Sequence, residues 1–190
     1  FRSPRKLRSR LDALEEPLEP IVPKVEQSNS SILFRDEQGM GAYILKLFRR
    51  VEPGVNPEVE LTRFLTRKAK FSNIPPFAGA IEYRGKSKDS VTVGVLQEYV
   101  PNAREWRAIC FGRSYFAFEK MKRGDFHSGS GTWNLHDPPL RVLDFARNLL
   151  EGTGFTGMSI DILETEDGEY LVNELQTVFG SVTKHKTYVN

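Results

Sequence analysis

Gly157-Met158-Ser159-Ile160-Asp161-Ile162-Leu163-Glu164-Thr165-Glu166-Asp167-Gly168-Glu169-Tyr170-Leu171-Val172-Asn173-Glu174-Leu175-Gln176 reads as two β-strands folded about an Asp167-Gly168 turn. Asp-Gly between runs of β-formers is the strongest short hairpin signal, because a type I′ turn requires positive φ at both central residues. The turn sets a register in which Glu166 faces Glu169, Leu163 faces Val172 and Asp161 faces Glu174. Side chains alternate faces along a strand, so Asp161, Glu174 and Gln176 share one face. Opposed Cβ atoms lie about 5 Å apart, and two carboxylates that close repel each other. A divalent cation between them removes the repulsion. Two carboxylates and an amide oxygen, completed by phosphate oxygens, make a shell suited to Mg²⁺. The alternative is a solvated face that tolerates a like-charge pair.

Composition bounds the rest. The 190 residues allow one domain or two small ones. With 39% hydrophobic and 11% aromatic residues, wholesale disorder is excluded. A formal charge of +2 gives no argument for nucleic acid. The single cysteine, Cys110, excludes an intrachain disulfide and suits a reducing cytoplasm, the expected compartment. No apolar run is long enough to span a bilayer and no signal peptide is present, so no membrane partner is expected. The start at Phe1 and the polar end at Lys184-His185-Lys186-Thr187 lead to the expectation of a fragment of something larger.

Residues 1–24 are basic, then acidic, then punctuated by proline. Leu7, Leu11 and Leu14 have helical spacing, but the charge favours a solvated linker or tail. From residue 25 to 102 the order reads β-β-α-β-β. Strands are expected over Ser30 to Arg35, Ala42 to Phe48, Phe77 to Arg84 and Ser90 to Val100. A helix opens at Pro57 and runs to about Lys70, with proline at its first position and Glu58 in its first turn. Lys46 lies inside an apolar strand, where an unpaired ammonium is costly. Glu60, on the expected buried side of the following helix, is the expected partner. A strand lysine held by a helix glutamate is the device kinase-type lobes use on nucleotide phosphates. The competing reading is an edge-strand lysine that snorkels to water.

Residues 103–190 differ. Arg104 to Phe111 and Ser114 to Arg123 read as a hairpin turning at Gly112-Arg113. The turn puts Arg107 opposite Phe118 and Glu105 opposite Lys120. Arg107, Lys120 and Lys122 then share a face, which is either a polyphosphate cradle or a solvated basic face. The loop from Gly124 to Gly131 is rich in glycine and serine. A helix follows, with Asp137 as N-cap, Pro138 at its first position and Gly152 as its stop; Leu140, Leu143, Ala146, Leu149 and Leu150 form its expected buried stripe.

Two resemblances sharpen this. Glu26 to Ser31, Ile44 to Glu58 and Leu96-Gln97-Glu98-Tyr99-Val100-Pro101-Asn102 resemble the nucleotide-binding N-lobe of bacterial maltokinase, including the form fused to trehalose synthase. That resemblance implies a phosphate-covering loop at Ser28 to Ser31, including Ser30. It also implies Lys46 as the phosphate lysine with Glu60 beside it, and Glu98, Tyr99 and Val100 at the adenine hinge. No segment resembles the kinase C-lobe. Arg104 to Arg107, Phe118 to Gly131 and Tyr170 to Thr177 resemble instead the C-terminal nucleotide-binding part of an ATP-grasp protein. There the implied metal ligands are Asp161 and Glu174, with Gln176 where the family has asparagine. Arg107, Lys120 and Lys122 are the implied phosphate contacts.

The expectation is therefore an α+β, two-lobed, ATP-grasp- or kinase-like fold of antiparallel sheets with packed helices. The chain divides at about residue 102, and a composite site takes ATP and Mg²⁺ with an unidentified small-molecule acceptor. The leading activity is phosphoryl transfer to a carboxylate, as in ATP-grasp ligases. A maltokinase-like sugar kinase and a non-catalytic nucleotide-binding module are the alternatives.

Overall fold

The computed structural model describes residues 5–22, 29–85, 90–101, 103–122 and 132–177. In chain order the elements are α1 (Arg5–Asp12), β1 (Glu19–Ile21), β2 (Ser30–Arg35), β3 (Gly41–Leu47), α2 (Pro57–Phe64), β4 (Phe77–Arg84), β5 (Ser90–Glu98), β6 (Arg104–Phe111), β7 (Ser114–Lys120), β8 (Trp133–Asn134), α3 (Leu140–Leu150), β9 (Gly157–Glu164) and β10 (Tyr170–Gln176). The strands form two antiparallel sheets, ordered β1-β2-β3-β5-β4 and β10-β9-β6-β7-β8. The fold is α+β, and the chain passes from one sheet to the other between Glu98 and Arg104.

The larger core lies under α3. Val142, Ala146 and Leu150 recur every fourth residue and pack on Trp106, Ala108, Cys110, Met158, Ile160 and Ile162 of the second sheet. Full burial of each branched side chain is worth about 1.5–3 kcal/mol. The helix begins at Leu140, three residues after the expected cap at Asp137, because Pro139 holds an extended ψ of 135°. The buried stripe is correspondingly rotated, and Leu140 is left exposed.

The first sheet holds a smaller core of Val59, Phe77 and Val95. Here α2 starts as expected: the Asn56 side chain accepts a hydrogen bond from Glu58 N–H at 2.9 Å, and Pro57 follows it. The helix widens into a π-helical turn, Leu65–Ala69, and stops at Lys70 with φ 54°. Beyond it the chain enters the other lobe. Ile74 is buried in the core under α3, with Leu65 and Phe71 packed against it. Val172 N–H donates to Asn73 O at 2.7 Å, and Asn73 Nδ2 donates to Tyr170 O at 2.9 Å.

Residues 5–22 are not the solvated linker expected from their charge. Leu7 is buried, β1 extends the first sheet by pairing with β2, and α1 covers that sheet's outer face. A cavity of about 630 Å³ remains between them, lined by Leu7, Leu11, Leu14, Tyr43, Leu45 and Leu96.

The β9–β10 hairpin forms, but not on a type I′ turn. Gly168 has φ 76° whereas Asp167 does not have positive φ; Gly168 N–H donates to Thr165 O, and Thr165 N–H donates to Glu169 O, both at 2.9 Å. Leu163 therefore pairs with Leu171, not with Val172 as expected. A bulge between Val172 and Glu174 then shifts the register by one residue, and Asp161 faces Glu174 after all. Gly168→Ala forces a side chain into the left-handed region and is expected to cost about 1–2 kcal/mol, read as a lower urea midpoint at unchanged slope.

Candidate functional site

Directly opposed residues of an antiparallel pair share a face, so the register maps the inward surface of each sheet. On the second sheet one row carries Leu163, Glu105, Lys120 and Trp133, and the next carries Glu174, Asp161, Arg107 and Phe118. On the first sheet Ser31, Lys46 and Val95 share a face.

The centre of the second sheet is an ion cluster. Arg107 donates from Nε to Asp161 Oδ1 at 2.7 Å and from Nη2 to Oδ2 at 2.8 Å. Lys120 Nζ donates to the same Oδ2 at 3.0 Å and also to Glu105 Oε1. Glu105, Lys120 and Asp161 are all buried. Burial opposes ionisation of Asp161, but the hydrogen bonds and charges of Arg107 and Lys120 win and hold its carboxyl below the ordinary range. Glu105 has only part of that compensation: burial pushes its carboxyl upward, and Lys120 offsets the effect incompletely.

Lys46 joins this cluster from the other sheet. Burial disfavours its charge, yet Glu58 of α2, with Glu174 and Glu105 of the second sheet, hold its pKa above the ordinary value. The two inward faces are therefore close enough for their charges to interact. Lys46 Nζ donates to Glu58 Oε1 at 3.1 Å, with the lysine side chain 14% exposed. Two expectations are corrected here. The helix partner is Glu58, because the helix turns Glu58 inward and leaves Glu60 in solvent. Ser30 lies within β2 on the opposite face from Lys46, and Ser31 is the serine in register with the lysine.

The expected hinge residues follow β5. Tyr99 N–H donates to Ala42 O at 3.0 Å, and the Tyr99 ring lies over Gly41, where a Cβ would come within 2.2 Å of it. The glycine is what permits this packing. Glu98, the last residue of β5, accepts from Arg10 of α1 at 2.5 Å. Val100 is half-buried.

The basic face also differs from expectation. The register of Arg107 with Phe118 and of Glu105 with Lys120 is as read from the turn, but both cations are neutralised by carboxylates. Lys122 is exposed, beyond the end of β7. The expected cation between Asp161 and Glu174 meets a further difficulty. Both Asp161 oxygens are spent on positive groups that would repel Mg²⁺, so Asp161 as arranged does not fit a resident metal. Among the described residues no group of three or more Asp, Glu, His or Cys is placed to hold one. Glu174 and Gln176 are half-buried at the edge of the cluster. Glu105 and Glu58 are the residues that sequence reasoning missed as site members; Ser31 already stood in the implied loop Ser28 to Ser31. The signal for Glu105 was present, since the turn already set it against Lys120.

No protein-family model matches the chain. Solved structures that resemble it include a macrocyclase and two ATP-grasp ligases. The macrocyclase MdnC from Microcystis aeruginosa MRC, bound with precursor peptide MdnA, is 18% identical with a TM-score of 0.38, over 70% of this chain and 47% of that one. A Chryseobacterium gregarium RiPP-associated ATP-grasp ligase, in complex with ADP and a leader and core peptide, is 15% identical with a TM-score of 0.35, over 66% and 46%. The ATP-grasp ligase PsnB, complexed with precursor peptide PsnA2 and AMPPNP, is 14% identical with a TM-score of 0.38, over 69% and 45%. The matches thus span about half the length of these proteins. Among the described residues no helix is long and apolar enough to cross a membrane.

Proposed function

We propose that the chain is an ATP-binding module of ATP-grasp type that takes MgATP between its two sheets. What supports this reading is the Lys46–Glu58 pair on the first sheet and the Arg107–Asp161–Lys120–Glu105 cluster on the second, with the charges of Glu174 and Glu105 felt at Lys46. Around that point stand three cations (Lys46, Arg107, Lys120) and four carboxylates (Glu58, Glu105, Asp161, Glu174), a balance of one negative charge. Free ATP meets net repulsion there, so Mg²⁺ enters as part of the substrate. The adenine lies at Glu98 to Val100, and the phosphates lie between Lys46 and the Arg107–Lys120 pair. These residues orient the nucleotide and stabilise charge on the transferred group.

The reaction is phosphoryl transfer to a carboxylate. An acceptor oxygen attacks the γ-phosphorus, its bond to the bridging oxygen breaks, and ADP leaves with that electron pair. An amine or thiol then attacks the acyl carbon, inorganic phosphate departs, and the nucleophile loses its proton to solvent. A second reading, a maltokinase-like sugar kinase, draws support from the Lys46–Glu58 pair; ADP release dependent on maltose would select it. Calorimetric titration tests both. MgATP is expected to bind with a sub-millimolar Kd, and ATP in EDTA at least tenfold more weakly. Absence of heat at millimolar MgATP would overturn both enzyme readings and leave a module that does not bind nucleotide.

A further inference from the structure

Past the ion cluster the inward face of the second sheet changes character. The row beyond Asp161, Arg107 and Phe118 is Ser159, Ile109 and Phe116. Ala108 and Cys110, which alternate with Ile109, are in the core under α3, so Ile109, Phe116 and Phe118 face the other way, on the side of the sheet that carries the ion cluster. Phe116 is 56% exposed, and Trp133, beside Lys120 in the first row, is 45% exposed. Trp133 meets Phe118 edge to face, with ring centroids 6.1 Å apart. Large apolar groups are ordinarily withdrawn from water, yet Phe116 and Trp133 stay exposed beside the half-buried Phe118 and Ile109, and an apolar patch of this kind marks a binding surface. This one carries no charged side chain, and it begins at Arg107, which spends Nε and Nη2 on Asp161 and keeps Nη1 as its remaining donor edge.

We infer that this strip is the acceptor subsite, and that it takes a carboxylic acid with an aromatic or branched apolar body. The carboxylate is held at Arg107, and the body lies over Phe118, Phe116 and Ile109. The inference rests on the reading of the cleft as an ATP site, which fixes where the nucleotide goes. The hinge enters β6 at Arg104, next to the row of Glu105 and Lys120. A nucleotide with its base at the hinge and its phosphates on the ion cluster leaves the strip on the γ-phosphate side. An acid bound there presents its carboxylate to the phosphate that is transferred. A small dicarboxylic acid or a sugar gains nothing from two phenylalanines and an isoleucine, whereas each aromatic contact adds apolar burial and favourable edge geometry.

The test uses 3-phenylpropionate, with 3-phenylpropylamine (same body, opposite charge) and succinate (charge without the body) as comparisons. The chain has two tryptophans, Trp106 with no exposure and Trp133 in the strip, so a change in accessible tryptophan emission reports on the strip. With saturating MgADP present to offset the negative balance of the cluster, saturable quenching by 3-phenylpropionate with a Kd below about 1 mM is expected, with both comparison compounds at least tenfold weaker. Phe116→Ser, at an exposed position, should weaken binding about tenfold by calorimetry while the melting temperature stays unchanged; Phe118→Ser should do at least as much. Equal affinity for all three compounds, or unchanged affinity in both variants, would overturn the inference. The two failures separate cleanly. MgATP binding without 3-phenylpropionate binding removes the subsite and keeps the nucleotide reading, while loss of MgATP binding removes the nucleotide reading itself.

Discussion

Asp161→Ala should destabilise the fold by about 3–5 kcal/mol, the range found when one partner of a buried ion pair is removed. Asp161 is 3% exposed and is the shared acceptor of Arg107 and Lys120. Without it Lys120 keeps Glu105, whereas Arg107 loses both of its charge-assisted bonds and must find water or stay unpaired. Urea unfolding measures the loss directly. Asp161→Asn is expected to rescue little, because its amide NH₂ would face a donor. A loss under about 1 kcal/mol would mean that the cluster opens to solvent and does not organise the sheet. The pH dependence carries its own sign. The carboxyl of Asp161 is held low in the folded state, so its contribution is fully present above the unfolded value and disappears as pH falls through the folded one. The Glu105 carboxyl is held high, so the folded state binds its proton more tightly and stability declines as pH rises between the unfolded and folded values. Asp161→Ala should therefore flatten the acid limb of the stability profile and also reduce the opposite slope of Glu105, because the Asp161 charge is one of the causes that push the Glu105 carboxyl up.

Lys46→Met should lower MgATP affinity by about 100-fold or more, on the scale of removing a pre-organised charge from a phosphate site, while changing stability by no more than about 1 kcal/mol. The small stability effect follows from geometry: Glu58 is 31% exposed and can take water when the lysine leaves. The informative comparison is between two glutamates of one helix. Glu58→Gln should weaken binding about tenfold, because Lys46 is then less firmly placed. Glu60→Gln should leave it unchanged, because Glu60 lies in solvent. Equal effects of the two substitutions would mean that general charge, and not the 3.1 Å pair, sets the lysine.

How much was legible in the sequence is clearest in these same residues. Lys46 was visible because an ammonium inside an apolar strand is rare, but its partner was misassigned. Spacing along a helix says which glutamates share a face, and only the helix's seat on the sheet says which face is inside. The opposition of Asp161 and Glu174 was read correctly through a turn that does not form. The longer loop closed by Gly168 slips the register one way, and the bulge after Val172 slips it back. Local turn chemistry does not reveal such a compensation, which sits beside the point where Asn73 docks on Tyr170 and Val172. The N-terminal leucines are outweighed by surrounding charge in the sequence, although Leu7 of α1 is buried and Leu11 lines the space against the first sheet. The neutralisation of Arg107 and Lys120 is not legible from the spacing of cations, because it is set by carboxylates that the register brings in, Asp161 from β9 and Glu105 from β6.

The docking of Asn73 and Ile74 on the second lobe has a mechanical consequence. The chain bridges the two sheets at the 99–103 crossover and again where residues 71–76 dip into the core under α3 before returning to β4. Two attachments define an axle. Sliding of one lobe past the other would break the Asn73 hydrogen bonds to Tyr170 and Val172, whereas a swing about the line joining Ile74 to the crossover would keep both attachments and change only the distance between the charges of the two sheets.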